Sequence, residues 1–330
     1  MGRPKLTRAL KAAVFACGAM VLSLPALAQG AFPDRPITLV VGFSPGGSND
    51  VTARVVAPEL SKLLKVPVVV ENRVGAAGTI ATSYVGKSNP DGYTLLVASA
   101  SPLVLSPHTN DSIPYDALKD FIGISLIGIT PEVLALYPGV PAKNLKELVA
   151  LAKTRDINLA SSGSGGLPHL AIELFKSAAP GARIVHVPYK GAAPAVTDVV
   201  AGHVDGVVVD LPAVQTFIKT GRLRGIATAN DRRSEFLPDL PTSGEEGLPS
   251  FIAVNWIALV APAKTPTPVV DKLRSALFDV MKLPSVKEAL AQAGVEVQLS
   301  KDSADFQTFL VSEYEKWGKV AKAANVKAGD

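Results

Sequence analysis

Residues 37–50 read ITLVVGFSPGGSND, and they decide how the rest of the chain is interpreted. Five apolar or β-branched residues run into a bend that contains Gly42, Gly46 and Gly47, and Asp50 opens a run with apolar residues at helical spacing. This order predicts a buried strand, a glycine turn and a helix. Glycine lets a ligand approach the backbone closely, and the first N–H groups of a helix have no partner within it. The stretch therefore predicts half of a seat for an anion such as a carboxylate.

Length and composition place the chain among globular proteins of two domains. Its 330 residues exceed one ordinary core, and the usual scaling gives about two domains, each with its own apolar layer. Hydrophobic residues make up 48% and charged residues 19%. This balance excludes an intrinsically disordered chain.

The first 28 residues follow the three-part plan of a secretory signal peptide. Basic residues precede the apolar stretch 12–27, which ends on Ala26-Leu27-Ala28. A membrane-spanning helix needs about 20 apolar residues, whereas this run is shorter and contains Pro25. We expect cleavage after Ala28 and a periplasmic protein, with a retained anchor, or lipoprotein processing at Cys17, as the alternatives.

Removing this leader changes the charge and the thiol chemistry of the chain. It takes away 4 of the 33 basic residues and none of the 29 acidic ones, so the mature chain has no net charge. We therefore expect no nucleic-acid partner. Cys17, the only cysteine, leaves with the leader, which excludes disulfides, cysteine nucleophiles and thiolate metal sites in the mature protein.

The pattern of strand, small-residue loop and helix recurs along the chain. Asn144, with Glu147 three residues on, has the spacing of a helix capping box. The last helix carries an aromatic and aliphatic stripe between residues 306 and 317, which packing on a core explains. The predicted strands span residues 37–41, 66–71, 93–98, 133–137, 157–160, 183–187, 206–209, 223–229 and 251–260, and residues 114–128 form a connection.

Alternating strands and helices predict parallel or mixed sheets covered on both faces, with ligands beyond the carboxyl ends of the strands. The glycine and serine loops all fall at such ends. The pattern starts afresh at residue 133, and the strand at 251–260 is placed to return the chain to the first unit.

Three catalytic or cofactor patterns fail on their chemistry. Residues 42–46 match G-x-S-x-G, the nucleophile elbow that would make Ser44 the nucleophile of an exported serine esterase. The residue after that serine is Pro45, which has no N–H to give to an oxyanion hole. No Lys follows the glycines as a nucleotide-phosphate loop requires, and the four histidines lack metal-ligand spacing. We expect no catalytic residue, metal or cofactor.

Two carboxylates at loop positions, Asp50 and Asp210, are candidate ligand contacts. Each also has a structural interpretation, since either residue is able to cap or support a helix start. Turn chemistry alone would explain the loop serines as well. What favours binding is that several donor-rich loops fall at corresponding strand ends in both halves of the chain. Besides the two aspartates, candidates at these ends are Ser99, Ser162, Ser164, Tyr189 and Lys190.

The chain resembles the periplasmic substrate-binding receptors of tripartite tricarboxylate transporters, also called Bug receptors. The resemblance covers essentially the whole mature chain, and the ordered set of motifs is specific. It is carried by Phe32-Pro33-Asp34-Arg35-Pro36-Ile37, Phe43-Ser44-Pro45-Gly46-Gly47-Ser48-Asn49-Asp50, Glu71-Asn72-Arg73-Val74-Gly75-Ala76-Ala77-Gly78, Asn89-Pro90-Asp91-Gly92-Tyr93-Thr94-Leu95, residues 161–170, Val187-Pro188-Tyr189-Lys190-Gly191 and Gly202-His203-Val204-Asp205.

The resemblance implies an α/β, two-lobed periplasmic-binding-protein fold, or Venus flytrap, in which each lobe is a mixed, mainly parallel sheet flanked by helices. After the signal peptide (1–28), residues 29–132 and 252–330 would form lobe 1 and residues 133–251 lobe 2, with the ligand cleft between them. In the family, loop amides, hydroxyls and bridging waters hold a ligand carboxylate. Carried over, the contacts from lobe 1 are Ser44, Gly46, Gly47, Ser48, Asn49, Asp50, Ala76 and Ala77, and those from lobe 2 are Ser162, Ser164, Gly165, Tyr189, Lys190 and Asp210.

The function that this implies is that of a non-enzymatic, monomeric receptor. It would bind a small organic acid and present it to membrane permease subunits. One departure concerns Gly166, because a threonine is common there in the family; the far end of the ligand would meet a less polar wall. The alternatives are the exported esterase and a receptor for a neutral amide or an amino acid.

Overall fold

The computed structural model describes residues 32–327, so the predicted signal peptide and Cys17 lie outside the described part of the chain. Contacts divide the chain into a segment that ends at Asp34 and a compact unit that begins at Arg35, whose fold is given below. Within the described residues, no helix has the length and apolar character needed to cross a bilayer.

One mixed sheet of ten strands forms the centre of the unit. Its order is β2-β1-β3-β9-β4-β7-β5-β6, and β8 and β10 pair with β4 off this path. Helices follow most of the strands, as the alternating pattern predicted. The strands are β1 Ile37–Val41, β2 Val68–Asn72, β3 Thr94–Ser99, β4 Phe121–Leu136, β5 Ile157–Ser161, β6 Ile184–Pro188, β7 Gly206–Asp210, β8 Arg224–Thr228, β9 Val254–Pro262 and β10 Glu296–Val297.

The helix predicted from the spacing after Asp50 begins at Ser48. Asn144 caps its helix as predicted, because its side chain accepts a hydrogen bond of 2.8 Å from the Glu147 amide. The helices are α1 Ser48–Leu64, α2 Thr79–Gly86, α3 Leu145–Ala152, α4 Leu167–Ala178, α5 Ala192–Val200, α6 Leu211–Lys219, α7 Thr267–Lys282, α8 Pro284–Gln292 and α9 Ser303–Ala324, and shorter helical turns span Ala76–Gly78, Ser101–Leu105 and Ser106–Thr109.

Two sets of parallel strands bring their carboxyl ends together. In the first set, β1 pairs in parallel with both β2 and β3. In the second, β5 pairs in parallel with both β6 and β7. Since parallel strands end at the same edge of a sheet, the loops that follow β1, β2 and β3 meet on one side, and those after β5, β6 and β7 meet on the other.

The long strand β4 joins the two sets, and the sequence interpretation missed most of it. Residues 114–128 were expected to be a connection and 133–137 a separate strand, whereas β4 runs without a break through Pro131, which pairs with Val254 of β9. Gly123 and Gly128 obscured the pattern. They are needed because a side chain at Gly123 would overlap the Phe306 ring, and one at Gly128 would lie 2.6 Å from Val295 Cγ1.

Strand β9 returns the chain to the first set, as expected from its apolar run. It pairs antiparallel with β3 on one side and with β4 on the other. The aromatic stripe of α9 packs on the core as predicted, with Phe306, Leu310 and Trp317 fully buried. The fold is thus the mixed α/β arrangement that the sequence indicated.

Candidate functional site

Two glycine-rich loops from the first parallel set lie against each other. A side chain at Gly42, just after β1, would place its Cβ 2.8 Å from the Cα of Gly78, which ends the loop after β2. The side-chain amide of Asn72, at the end of β2, also donates a 3.0 Å hydrogen bond from Nδ2 to the Phe43 carbonyl. The absence of a side chain at Gly42 therefore lets the two loops form one surface.

The carboxylate of Asp50 holds the loop after β1 in place through hydrogen bonds. It accepts hydrogen bonds from the Gly46 amide (2.9 Å), Arg54 Nε (2.9 Å) and Asn72 Nδ2 (2.8 Å), and the residue is 2% exposed. Burial acts to raise the pKa of Asp50, but the bonds from Arg54, Gly46 and Asn72 outweigh it and hold the pKa below its usual value. Asp50 therefore stays ionised and keeps the loop in one shape.

The loop after β2 has a backbone that side chains rarely adopt. Ala76 and Ala77 have φ of 47° and 52°, between Gly75 at 139° and Gly78 at 89°. A left-handed conformation costs a residue with a Cβ about 1–2 kcal/mol. Such strained backbone concentrates at ligand-binding sites, and both alanines are exposed toward the cavity described below.

A pair of stacked histidines supports the loop after β5, on the opposite wall. The rings of His169 and His186 lie 3.8 Å apart, and His186 Nε2 is 2.6 Å from the hydroxyl of Ser161. His169 Nδ1 accepts a 3.0 Å hydrogen bond from the Gly165 amide. Burial, with the charges of His169 and Lys176, lowers the pKa of His186 to about 3. Neutral His186, stacked on His169, therefore supports the loop at residues 161–166.

The loop after β6 is tied to the same wall. The Gly191 amide donates a 3.1 Å hydrogen bond to the Ser162 carbonyl. The hydroxyl of Tyr189 bonds to Asp198 at 2.6 Å, and burial with this bond raises the pKa of Tyr189 to about 12. Tyr189 is thus engaged with α5 while its neighbour Lys190 lines the cavity.

All these loops enclose one cavity of about 1150 Å³. Four helices begin at it, α1, α4, α5 and α6. The N-caps of the first three are glycines, which have no side chain to cap the first turn, and the Asp210 side chain does not cap α6. The first amides of a helix have no partner within it and carry the positive end of the helix dipole. Four such ends around one cavity create a positive potential that favours an anion there.

An acidic pair stands in the wall of this cavity. Glu132 of β4 and Asp210 at the end of β7 are directly opposite each other in the antiparallel register, and both line the cavity. Asp210 accepts a 3.1 Å hydrogen bond from Ser48 Oγ of α1, so the first and second loop sets meet there. Burial raises the pKa of Asp210, against hydrogen bonds from its own amide, Ser48 and Asn255. Burial and the charge of Asp210 raise the pKa of Glu132 well above its usual value.

The structure brings most of the predicted site residues to this cavity. Asp50, Gly165 and Tyr189 are not in its lining; each makes hydrogen bonds that shape a lining loop instead. The Asp210 carboxylate occupies an N-cap position without capping α6. The predicted residues that line the cavity are Ser44, Gly46, Gly47, Ser48, Asn49, Ala76, Ala77, Ser99, Ser162, Ser164, Lys190 and Asp210.

Sequence reasoning missed part of the lining. Glu132 and Asn255 lie inside strands rather than in loops, and Phe217 lies in α6. A signal was present for Glu132, because it is the one charged residue in the 16-residue run of β4. Among residues 32–327, no group of three His, Cys, Asp or Glu side chains is placed to hold a metal ion.

The chain is similar to a family model, to a relative in sequence and to solved structures. The family model described as "Tripartite tricarboxylate transporter family receptor" matches residues 52–326. Protein BugT of Bordetella pertussis is 38% identical over 299 residues, covering 90% of this chain and 91% of BugT. The structure of R. palustris Rpa4515 with adipate has a TM-score of 0.82 and 32% identity, over 90% of this chain and 99% of that one. MatC from Rhodopseudomonas palustris with bound malate has a TM-score of 0.78 and 29% identity, over 88% and 99%.

Proposed function

This chain belongs to the tripartite tricarboxylate transporter receptor family, and we propose that it binds a small organic carboxylate in its cavity and delivers it to a membrane permease. The observation that carries the proposal is the convergence of four uncapped helix N-termini on one cavity. Relatives solved with adipate and with malate support the choice of a carboxylate.

The carboxylate would sit where the two loops of the first set meet. There the exposed backbone of Gly46, Gly47, Ala76 and Ala77 faces the cavity. The Gly46 amide already donates to Asp50, so the first amides of α1 at Ser48 and Asn49 remain as the donors best placed for an anion. Asp50, Gly165 and Tyr189 would act by shaping the loops, and Ser44, Ser99, Ser162, Ser164 and Lys190 would contribute polar groups to the walls.

Delivery requires that the permease can tell the loaded receptor from the empty one. We propose that residues 29–132 with 252–330 form one lobe and residues 133–251 the other, and that β4 and β9 connect them. A ligand that contacts both walls stabilises the closed form by its greater affinity for that form. The receptor would act as a monomer, after export by a signal peptide that is cleaved behind Ala28. N-terminal sequencing of the periplasmic protein tests the cleavage, and a start before residue 29 would refute it.

Binding without chemistry is the simplest use of this cavity. Ser44 lines it, but no histidine does so among the described residues, and Pro45 offers no amide to an oxyanion. We expect no turnover of generic esters. Hydrolysis that Ser44→Ala abolishes would establish the esterase instead.

The test is a thermal-shift screen of denatured and refolded mature protein against organic acids, because refolding removes any acid that co-purifies. A ligand at about 100 times its Kd adds roughly 2.7 kcal/mol to the free energy of unfolding. Calorimetry then compares each acid that scores with its amide. An acid preferred over its amide supports an anion site. Equal affinity would indicate a receptor for neutral amides. Binding restricted to amino acids would indicate an amino-acid receptor, in which the acidic pair Glu132 and Asp210 faces the hydrogen-bond donors of the ligand.

A further inference from the structure

Glu132 is a buried acid to which residues 32–327 supply no side-chain hydrogen-bond partner. The residue is 0% exposed, and neither of its carboxyl oxygens has a hydrogen-bond partner among the described residues. Burying a charge in this way costs several kcal/mol, and burying even a neutral polar group without a partner is unfavourable. A side chain of this kind in a binding cavity is therefore a candidate for contact with the ligand.

The side chain of Glu132 lies on the cavity side of the sheet. Directly opposite residues of antiparallel strands project from the same face, and its opposite residue is Asp210, which lines the cavity and bonds to Ser48. Glu132 is itself among the lining residues. Its main chain is fixed by a 3.0 Å bond from its amide to the Ala253 carbonyl and a 2.8 Å bond from the Ala229 amide to its carbonyl.

The two acids differ in their donors, and this difference decides which one carries the proton. Asp210 accepts hydrogen bonds from Ser48 and Asn255, which favour its ionised form. Glu132 has no such donor and faces the charge of Asp210. When two carboxyls interact at close range, the one with fewer donors keeps the proton. The two do not bond to each other in the structure, so the proton of Glu132 is available to another acceptor.

Strands β7 and β9, which pair with this part of β4, carry no Lys or Arg. The basic residue in the described cavity lining is Lys190, in the loop after β6, and it bonds to neither carboxyl oxygen of Glu132. Strand β9 carries no titratable side chain, and β7 contributes only Asp210. The charged residue of β8 is Arg224, which bonds to the carbonyls of Pro138, Val140 and Ala142, and that of α6 is Lys219, at the far end of the helix. Glu296 of β10, which pairs with β4 at Ile129, adds a further acid, and the cation beside it, Arg232, is engaged with the Glu296 carboxyl at 3.5 Å.

We propose that Glu132 is held as a neutral carboxylic acid and donates a hydrogen bond to an oxygen of the bound acid. This rests on the proposed function, since it gives the chemistry of one wall of that same site. An ionised Glu132 would set a second negative charge beside Asp210 against an anionic ligand. Binding is therefore linked to the proton on Glu132, and this residue selects ligands with an acceptor oxygen at its position.

The test is calorimetry with adipate and with malate, from pH 5.5 to 8.5, on wild type, Glu132→Ala and Glu132→Gln. The wild-type affinity should fall by up to tenfold per pH unit once Glu132 ionises in the free protein. Glu132→Ala should bind at least tenfold more weakly at pH 5.5. Glu132→Gln should restore affinity relative to the alanine variant and show no fall with pH, because an amide donates the same bond and does not titrate in this range. At the pH values where the wild-type affinity falls, titration in two buffers of different ionisation enthalpy should show proton uptake on binding that Glu132→Gln abolishes.

Glu296 supplies the matched control, since it is another buried glutamate with an unpartnered carboxyl oxygen, but it lies outside the cavity lining. Glu296→Gln should keep the wild-type pH profile. The inference is overturned if folded Glu132→Ala binds as tightly as wild type, if Glu132→Gln loses affinity with pH as wild type does, or if Glu132→Gln binds as weakly as the alanine variant. If refolded wild type binds neither these acids nor any other carboxylate, the proposed function fails, and the inference falls with it.

Discussion

Substituting Gly46 by alanine separates an effect on ligand affinity from an effect on the free energy of unfolding. Its φ is +88°, and a Cβ added to it would have nothing within 4 Å, so Gly46→Ala creates no clash inside the protein. The cost in folding is then the left-handed backbone alone, about 1–2 kcal/mol. The added methyl group projects from a residue that lines the cavity, where it would displace an oxygen of the ligand from the loop amides. Losing one hydrogen bond to a charged group costs about 2 kcal/mol, which corresponds to roughly a 30-fold weaker Kd.

Gly247 is the matched control, with φ of +89° and open space around its missing Cβ, but outside the cavity lining. Gly46→Ala and Gly247→Ala should lower the free energy of unfolding in urea by similar amounts. Only Gly46→Ala should weaken binding of the acid found in the thermal-shift screen, measured by calorimetry. An unchanged Kd in folded Gly46→Ala, or an equal loss of affinity in both variants, would refute the reasoning and leave the loop a structural element.

Three further predictions follow from the surroundings of the site. Asp50→Ala should cost about 3 kcal/mol in urea unfolding, because three donors lose their buried acceptor, whereas Asp111→Ala at an exposed ion pair should cost under about 1 kcal/mol; equal costs would contradict the support role. Since the pKa of His186 is about 3 in the folded protein and near 6.5 when unfolded, its neutral form contributes stability that is complete above about pH 6.5 and is lost as the pH falls toward 3. His186→Gln should flatten this part of the urea-unfolding profile, and a profile that stays as steep as that of wild type would refute the assignment. Gly42→Ala should lower both stability and affinity by forcing the two glycine loops apart, and wild-type binding in this variant would show that their contact is not needed.

Much of the fold was predictable because local pattern and tertiary structure agree. The parallel strands are short apolar runs bounded by glycine, serine and proline, and their observed bounds lie within three residues of the predicted ones. The prediction failed for strand β4 because the cause of its pattern is tertiary. Gly123 and Gly128 leave room for Phe306 and Val295, which are distant in sequence, so nothing in the local sequence explains why glycines interrupt the apolar run.

The residues of the candidate site also fall into those that local sequence predicts and those that depend on tertiary contacts. Loops at strand ends were found because glycine and serine mark them, and most of the loop residues named from sequence line the cavity. The supporting roles of Asp50, Gly165 and Tyr189 were harder to foresee. Each depends on a partner, such as Arg54, His169 or Asp198, whose distance the sequence pattern does not give.

Glu132 shows which sequence signal would have extended the prediction into the strands. It lies between Pro131 and Val133 in the run ITPEVLAL, in which all four side chains from Val133 to Leu136 are apolar and fully buried. A lone acid in such a run must be paired, neutral or in contact with a ligand, because an unpaired buried charge is too costly to keep. The structure removes the first option, since neither carboxyl oxygen has a partner in the part of the chain that it describes. A search for single charged residues inside apolar strands would thus have added the acidic wall to the glycine loops, and the proton on Glu132 is what allows that wall to face an anion.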